Sequence, residues 1–199
     1  MMERSSRFIS LSGLSGISAG ICALTGVFFA RDAIETNRSA VSDLRNSFRG
    51  ADSILYGDFF NSTLIRIAVL TFVSALLLAF LFTYRRSKKT DTPIWSYTAK
   101  RLLINVSVPI ITGGIFLLAL IDHKIFDFVA PGCLIFYGLG VLNASHYTLP
   151  ETRYLAYGEI LLGVINLVFP GQGLYFWAAG FGVLHILYGI FMWWKYERN

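Results

Sequence analysis

The sequence predicts an all-α integral membrane protein, with six transmembrane helices packed in one bundle. Of its 199 residues, 55% are hydrophobic and only 15% are charged, whereas soluble domains are about 25% charged. The apolar residues also fall into six long runs, and a membrane helix needs about 20 such residues. We therefore expect membrane lipids to surround most of a single domain that covers residues 1–199.

The six predicted spans differ in length. The first begins with basic residues, but it is too long for a signal peptide and no A-x-A cleavage site follows it, so we expect a retained helix. The fifth is short because Pro170 ends it. The sixth ends in Trp193 and Trp194, which suit a membrane interface. In chain order the spans are 8–30, 64–84, 102–121, 125–147, 154–169 and 174–194.

Two polar segments interrupt the spans, an outer loop at 31–63 and a basic cytoplasmic loop at 85–101. With a cytoplasmic N-terminus, 11 Lys and Arg residues lie inside and six outside. The positive-inside rule thus predicts a multi-pass membrane protein with both termini in the cytoplasm. The clustering of charge in one loop argues against nucleic acid as a partner. Segment 31–63 can continue the first helix, lie on the membrane surface, or present a solvated charged face.

Small residues form stripes on two predicted helices. The first span carries Gly13, Gly16 and Gly20 on one side, and the sixth carries Gly182 and Gly189. Small residues let membrane helices approach closely. The stripes therefore predict tight helix packing, and a homo-oligomer formed through the same surfaces is the alternative.

The third and fourth spans look like the fifth and sixth, which indicates an internal hairpin repeat. Residues 138–143 (GLGVLN) align with residues 180–185 (GFGVLH). The last hairpin has a further pattern of Gly158-x-Ile160, Gly163, a Phe169-Pro170 turn, Gly182 and Gly189. This pattern resembles the short-repeat six-helix membrane family that includes the acid-resistance protein HdeD. The resemblance implies a small, non-enzymatic protein of a bacterial-type inner (plasma) membrane that is linked to stress, and it supplies no catalytic residue.

Five polar side chains fall inside the predicted bundle, where ionisable groups are costly and are candidates for function. Asn143 and His185 occupy matching places in two inward-running helices, and Glu159 shares a face with Asn166. The short link between the fourth and fifth helices makes His146 the expected cation beside Glu159. The five residues predict either helix glue, at about 0.6–2 kcal/mol per hydrogen bond, or a route for protons or a small polar solute.

Pro109 lies within the third span and should kink that helix, because it cannot donate a hydrogen bond to the carbonyl of Asn105. The freed carbonyl and the Asn105 side chain could then hold water or a polar ligand. A purely structural kink is the alternative.

The sequence contains no motif typical of a metal or cofactor site, so we expect neither. One enzyme pattern is present. Residues 13–16 read G-x-S-G, and His185 lies on the sixth helix, which resembles the rhomboid intramembrane serine proteases. Ser15 lies on the first helix instead of the fourth, so this is a remote alternative. The leading interpretation is a non-enzymatic membrane protein, followed by a channel or transporter.

Overall fold

A computed structural model describes residues 13–47, 63–90 and 95–198. Within these ranges the regular structure is entirely helical, which confirms the all-α prediction. A short 3₁₀ turn, Phe126–Phe128, precedes the fourth helix. The helices are α1 (Gly13–Ser47), α2 (Ile65–Thr90), α3 (Tyr97–Asp122), α4 (Val129–Ala144), α5 (Thr152–Val168) and α6 (Gly173–Tyr196).

Five stretches of helix in the described ranges are long and apolar enough to cross a membrane. They are Gly13–Asn37, Ile65–Lys89, Tyr97–Asp122, Phe126–Ala144 and Gly173–Tyr196. The chain therefore has the architecture of a multi-pass membrane protein. The remaining helix, α5, has 17 residues, which is at the lower limit for a span. A count of six spans, the internal repeat and the orientation in the membrane stay predictions.

The helices extend beyond the apolar runs that predict them. Helix α1 continues through residues 31–47, so this part of the predicted outer loop continues the first helix. Residues 48–62 lie outside the described ranges. Helix α2 likewise extends to Thr90, and Ser96 caps α3 by accepting a hydrogen bond from the Ala99 N–H at 3.1 Å. Hydropathy marks only the part of a helix that suits lipid, whereas its backbone hydrogen bonds continue past the apolar stretch.

Helix α6 connects the two halves of the bundle. It packs against α1, which in turn contacts α2, and on its other side it contacts α4 and α5. Helix α4 lies between α3 and α5. The central position of α6 places its polar and small residues between neighbouring helices, away from lipid.

The glycine stripes of α1 and α6 face each other within the chain. A Cβ atom added to Gly189 would lie 2.6 Å from the Gly13 carbonyl oxygen and 2.5 Å from the Ile17 nitrogen. One added to Gly20 would lie 2.6 Å from the carbonyl oxygen of Gly182. The two backbones are thus in direct contact, as small residues allow in membranes. A homo-oligomer through the glycine stripes stays a prediction.

Charged residues tie the end of α6 to the other half of the bundle. The carboxylate of Glu197 accepts a hydrogen bond from the Gly13 N–H and pairs with the guanidinium of Arg86 on α2. The side chains of Arg86 and Glu197 are each 14% exposed, so solvent screens this pair less than an open surface pair. One carboxylate therefore links α1, α2 and the residue that follows α6.

A second acidic residue, Glu151, holds the link between α4 and α5. Its carboxylate pairs with Lys195 and accepts a hydrogen bond from the Tyr196 hydroxyl at 2.9 Å. Burial raises the pKa of Glu151, but the hydrogen bonds from Lys195, its own backbone and Tyr196 outweigh burial. The net pKa lies below the ordinary value of 4.5, so this carboxylate is ionised at neutral pH.

Candidate functional site

A fully buried carboxylate lies where α4, α5 and α6 meet. Glu159 on α5 has 0% of its surface exposed, and His185 on α6 has 6%. The Nδ1 atom of His185 is 3.2 Å from Oε1 of Glu159. On the other side of the imidazole, Nε2 is 2.6 Å from the hydroxyl oxygen of Tyr137 on α4. We call these three residues the Glu–His–Tyr cluster.

A π-helical segment, Ala178–Leu184, immediately precedes His185 and positions its ring. The Nδ1 atom is 3.1 Å from the carbonyl oxygen of Gly180. Since a carbonyl oxygen only accepts, Nδ1 carries a hydrogen. In the neutral imidazole, Nε2 then accepts the Tyr137 hydroxyl proton, and in the imidazolium it donates to that oxygen.

Gly180 also makes room for the carboxylate. A Cβ atom at this position would lie 2.6 Å from Oε2 of Glu159 and 2.5 Å from Cδ2 of Leu134. Any larger residue would therefore displace either the acid or the fully buried Leu134. The glycine in the π-helical segment thus provides both the space for Glu159 and the carbonyl that orients His185.

The charge of Glu159 is balanced within the cluster. His185 is its ion-pair partner in the described ranges, and neither carboxylate oxygen has an aligned hydrogen bond. An isolated buried charge is far more costly than a paired one. The pair is neutral as carboxylate with imidazolium, and also as carboxylic acid with imidazole. The arrangement can therefore hold and exchange one proton without creating net charge.

Aromatic rings enclose one side of the cluster. The ring centroids of Tyr137 and Phe181 are 5.1 Å apart, and those of Phe181 and Trp177 are 5.0 Å apart. These are distances at which aromatic rings attract one another. The rings keep the imidazole in an apolar setting, where its ion pair with Glu159 and its hydrogen bond with Tyr137 are stronger than they would be in water.

An apolar layer separates the cluster from polar groups at the start of α5. There the Thr152 hydroxyl lies 3.0 Å from that of Tyr188, and Thr148 donates to Thr152 at 3.1 Å. Val141, Leu155 and Ala156 form a buried apolar cluster, against which Tyr137 and Tyr188 also pack. Within the described ranges, the hydroxyls of these two tyrosines bond to His185 and to Thr152, and not to each other.

Asn166 lies on the same face of α5 as Glu159, seven residues further along. It is 1% exposed, and its Nδ2 donates to the Phe169 carbonyl at 3.3 Å. Its Oδ1 has no hydrogen-bond partner. Asn166 thus helps to shape the turn after α5, and it does not contact the cluster through a hydrogen bond.

Asn143 and Asn105 form a separate pair between α4 and α3. The Asn143 Nδ2 donates to the Asn105 carbonyl at 3.3 Å, and this carbonyl is the one that Pro109 cannot use. The Asn105 side chain donates to the Tyr147 hydroxyl at 3.2 Å. The Asn143 side chain therefore donates to the carbonyl that was expected to hold water or a ligand. This supports the alternative of a purely structural role for Pro109 and Asn105. The predicted kink stays a prediction.

The expected pairing of His146 with Glu159 is wrong. His146 lies in the turn after α4, is exposed, and has its Nδ1 3.3 Å from the Asn143 carbonyl oxygen. Glu159 lies two turns inside α5, where His185 takes the place of the expected cation. Loop length alone identified neighbouring helices correctly, but it did not identify which residues share a depth.

Sequence reasoning missed Tyr137 and the π-helical segment. Tyr137 is the ninth of the 16 residues of α4. Tyrosines of membrane proteins are usually found near the interfaces, so a hydroxyl in the middle of a span is the signal that could have identified it. The π-helical segment has no comparable signal, because its composition is that of an ordinary apolar helix.

The geometry does not form the serine–histidine dyad considered from the sequence. Both ring nitrogens of His185 have other partners, namely Tyr137, Gly180 and Glu159. This arrangement gives the rhomboid-like alternative no support, and that alternative stays a prediction. Within the described ranges, no group of three or more His, Cys, Asp and Glu residues is arranged to hold a metal ion.

No protein-family model matches the chain, and neither does any curated protein or solved structure. The resemblance to the family that includes HdeD therefore stays a prediction.

Proposed function

We propose that this protein is a non-enzymatic integral protein of the inner membrane, and that it acts through its packed helical core. In that core the Glu159–His185 pair joins α5 to α6. The observation that carries this proposal is the complete burial of Glu159 behind an apolar layer. A channel needs polar groups or space along its whole length, and Val141, Leu155 and Ala156 form a buried apolar cluster between Thr152 and Glu159.

A link to stress rests on the resemblance of the last hairpin to the HdeD family. Its test is an acid challenge of cells that lack this protein, complemented with the wild type or with Glu159→Gln. We expect the wild type to restore survival. Equal survival with and without the protein would contradict a role in acid stress and leave the membrane architecture unaffected.

The structural role of the pair is tested with reconstituted protein. Glu159→Gln should lower the free energy of unfolding by about 1–3 kcal/mol, because a charge-assisted contact in a buried site is lost. Proton flux into liposomes is the second measurement. Its matched control is Glu151→Gln, because Glu151 lies outside the cluster. Wild-type liposomes should show no proton flux above that of empty liposomes.

Transport of protons or a small polar solute is the second candidate. The observation that favours it is a carboxylate in mid-bundle whose two oxygens have no hydrogen bond, because such groups mark proton pathways in membrane proteins. If this candidate is correct, wild-type liposomes show proton flux, Glu159→Gln abolishes it, and Glu151→Gln keeps it. Flux in the wild type would overturn the structural proposal.

A further inference from the structure

Basic side chains cluster where α2 ends and α3 begins. The last two turns of α2 and the first two turns of α3 carry five exposed cations, which are Arg85, Lys88, Lys89, Lys100 and Arg101. Thr90 and Trp95 are five positions apart, so at most about 18 Å separates the two helix ends. The five cations therefore lie on the same side of the membrane, and we call them the basic surface.

Acidic residues do not neutralise the basic surface in the described ranges. Helix α2 has no acidic residue, and the acidic residue of α3, Asp122, lies at the opposite end of that helix. The carboxylate of Glu197 pairs with Arg86, and that of Glu151 pairs with a lysine of α6. Segment 85–101 as a whole contains one acidic residue against six basic residues. The basic surface therefore keeps an excess of positive charge.

Two of these cations lie over tyrosine rings. The Nζ atom of Lys88 is 4.9 Å from the ring centroid of Tyr84, and the guanidinium carbon of Arg101 is 4.9 Å from that of Tyr97. These distances are within the range of cation–π attraction. Both rings are exposed, by 39% and 71%, and exposed tyrosines of membrane proteins lie at the level of the lipid headgroups. The two cations therefore lie at the depth of the headgroup phosphates.

Helices α2 and α3 lie at the periphery of the bundle, where lipid can reach them. In the described ranges α2 packs mainly against α1, and α3 packs mainly against α4. In the most apolar part of each helix, only 0% and 6% of the residues are buried. A lipid whose chains lie against these helices would place its headgroup at the basic surface. A soluble anion has no chains to use this apolar surface, so the geometry favours a lipid.

We propose that the basic surface binds the headgroups of anionic phospholipids, whose acyl chains lie against α2 and α3. The phosphate oxygens would accept charge-assisted hydrogen bonds from the lysine and arginine side chains. A phosphatidylcholine headgroup carries a cation of its own, so the surface discriminates against it. By the predicted topology these lipids belong to the cytoplasmic leaflet, where negative lipids attract basic segments next to membrane helices. The inference does not depend on the function proposed for the packed core.

Native mass spectrometry of the full chain in detergent tests the proposal, because it resolves protein with each bound lipid. The probes are dioleoylphosphatidylglycerol and dioleoylphosphatidylcholine, which share their acyl chains. The test variant Lys89→Gln/Lys100→Gln removes one charge from each helix. The control variant Arg66→Gln/Lys124→Gln removes one charge near the opposite end of each helix, and all four native side chains are exposed. Lys89→Arg/Lys100→Arg keeps the charge.

We expect the wild type to bind phosphatidylglycerol about fivefold more tightly than phosphatidylcholine or more, since one cation beside the membrane contributes about that factor. The test variant should lose at least this factor for phosphatidylglycerol and keep its affinity for phosphatidylcholine. The arginine variant and the control variant should keep the wild-type affinities. Equal affinity of the wild type for both lipids would overturn the proposal without any variant, and so would an equal loss in the test and control variants.

Inorganic phosphate distinguishes a lipid site from a site for free phosphate. Sodium chloride of equal ionic strength is its control, because salt screens any exposed charge. We expect both salts to weaken phosphatidylglycerol binding equally. Greater displacement by phosphate would identify free phosphate as the ligand and would overturn the assignment to lipid, while the proposed function of the core would be unaffected.

Discussion

The contact between α1 and α6 can be tested with a single methyl group. In Gly189→Ala the new Cβ would lie 2.6 Å from the Gly13 carbonyl oxygen and 2.5 Å from the Ile17 nitrogen, whereas ordinary contact begins at 3.4 Å. Both neighbours are backbone atoms, so the helices must separate by about 0.9 Å. Overpacking of this kind costs about 1–3 kcal/mol, and the higher helix propensity of alanine offsets about 1 kcal/mol of it.

Gly114→Ala is the matched control, because a Cβ there meets nothing within 4 Å and Gly114 is also inside a helix. Both variants share the gain in propensity, so the difference between them isolates the close contact. In reversible unfolding from detergent micelles, Gly189→Ala should be less stable than Gly114→Ala by about 1–3 kcal/mol. A difference below about 0.5 kcal/mol, the usual effect of a neutral surface change, would refute direct contact between α1 and α6.

Three further predictions concern the Glu159–His185 pair, Glu151 and the basic loop. Glu159→Gln and His185→Gln should each destabilise the protein, and the double variant should cost less than their sum by about 0.5–3 kcal/mol; additive losses in unfolding experiments would contradict the pair. Because the pKa of Glu151 is lowered, its contribution to stability is complete above the ordinary 4.5 and is lost as the pH falls through the folded pKa. Glu151→Gln should therefore reduce the fall in melting temperature at acid pH. An unchanged fall would contradict the contribution assigned to the Glu151 carboxylate. Single cysteines in 86–99 should react with impermeant thiol reagents only from the cytoplasm, and reaction from outside would reverse the predicted orientation.

The positions of the helices could be predicted because lipid imposes one simple requirement. Runs of apolar residues located α3 and α6 closely, since nearly every side chain on a lipid-facing helix must be apolar. The ends of α1 and α2 could not be located in this way. Arg31 and Glu35 form an exposed ion pair at 2.8 Å on α1, and such pairs support a helix that hydropathy alone assigns to a loop.

The interior residues of the site were also predictable, but their pairing was not. Glu159 and His185 stand out because ionisable groups are rare in apolar helices. Their contact depends on the π-helical segment, since one additional residue in a helical turn rotates everything that follows by about 100°. A sequence carries little information about such a local change of helical pitch. Tyr137 was missed for a related reason, because its role appears only once His185 is oriented.

The contact between α1 and α6 has a consequence for biogenesis. The hydrogen bond from Gly13 to Glu197 joins residues that are 184 positions apart. At translation rates of about 5–20 residues per second, α1 would wait roughly 10–35 s in the membrane before α6 is synthesised. Its glycine face lacks the backbone of α6 as a neighbour during that interval. Synthesis of α6 therefore completes this contact, and a ribosome that stalls before Gly182 leaves the glycine face of α1 without α6.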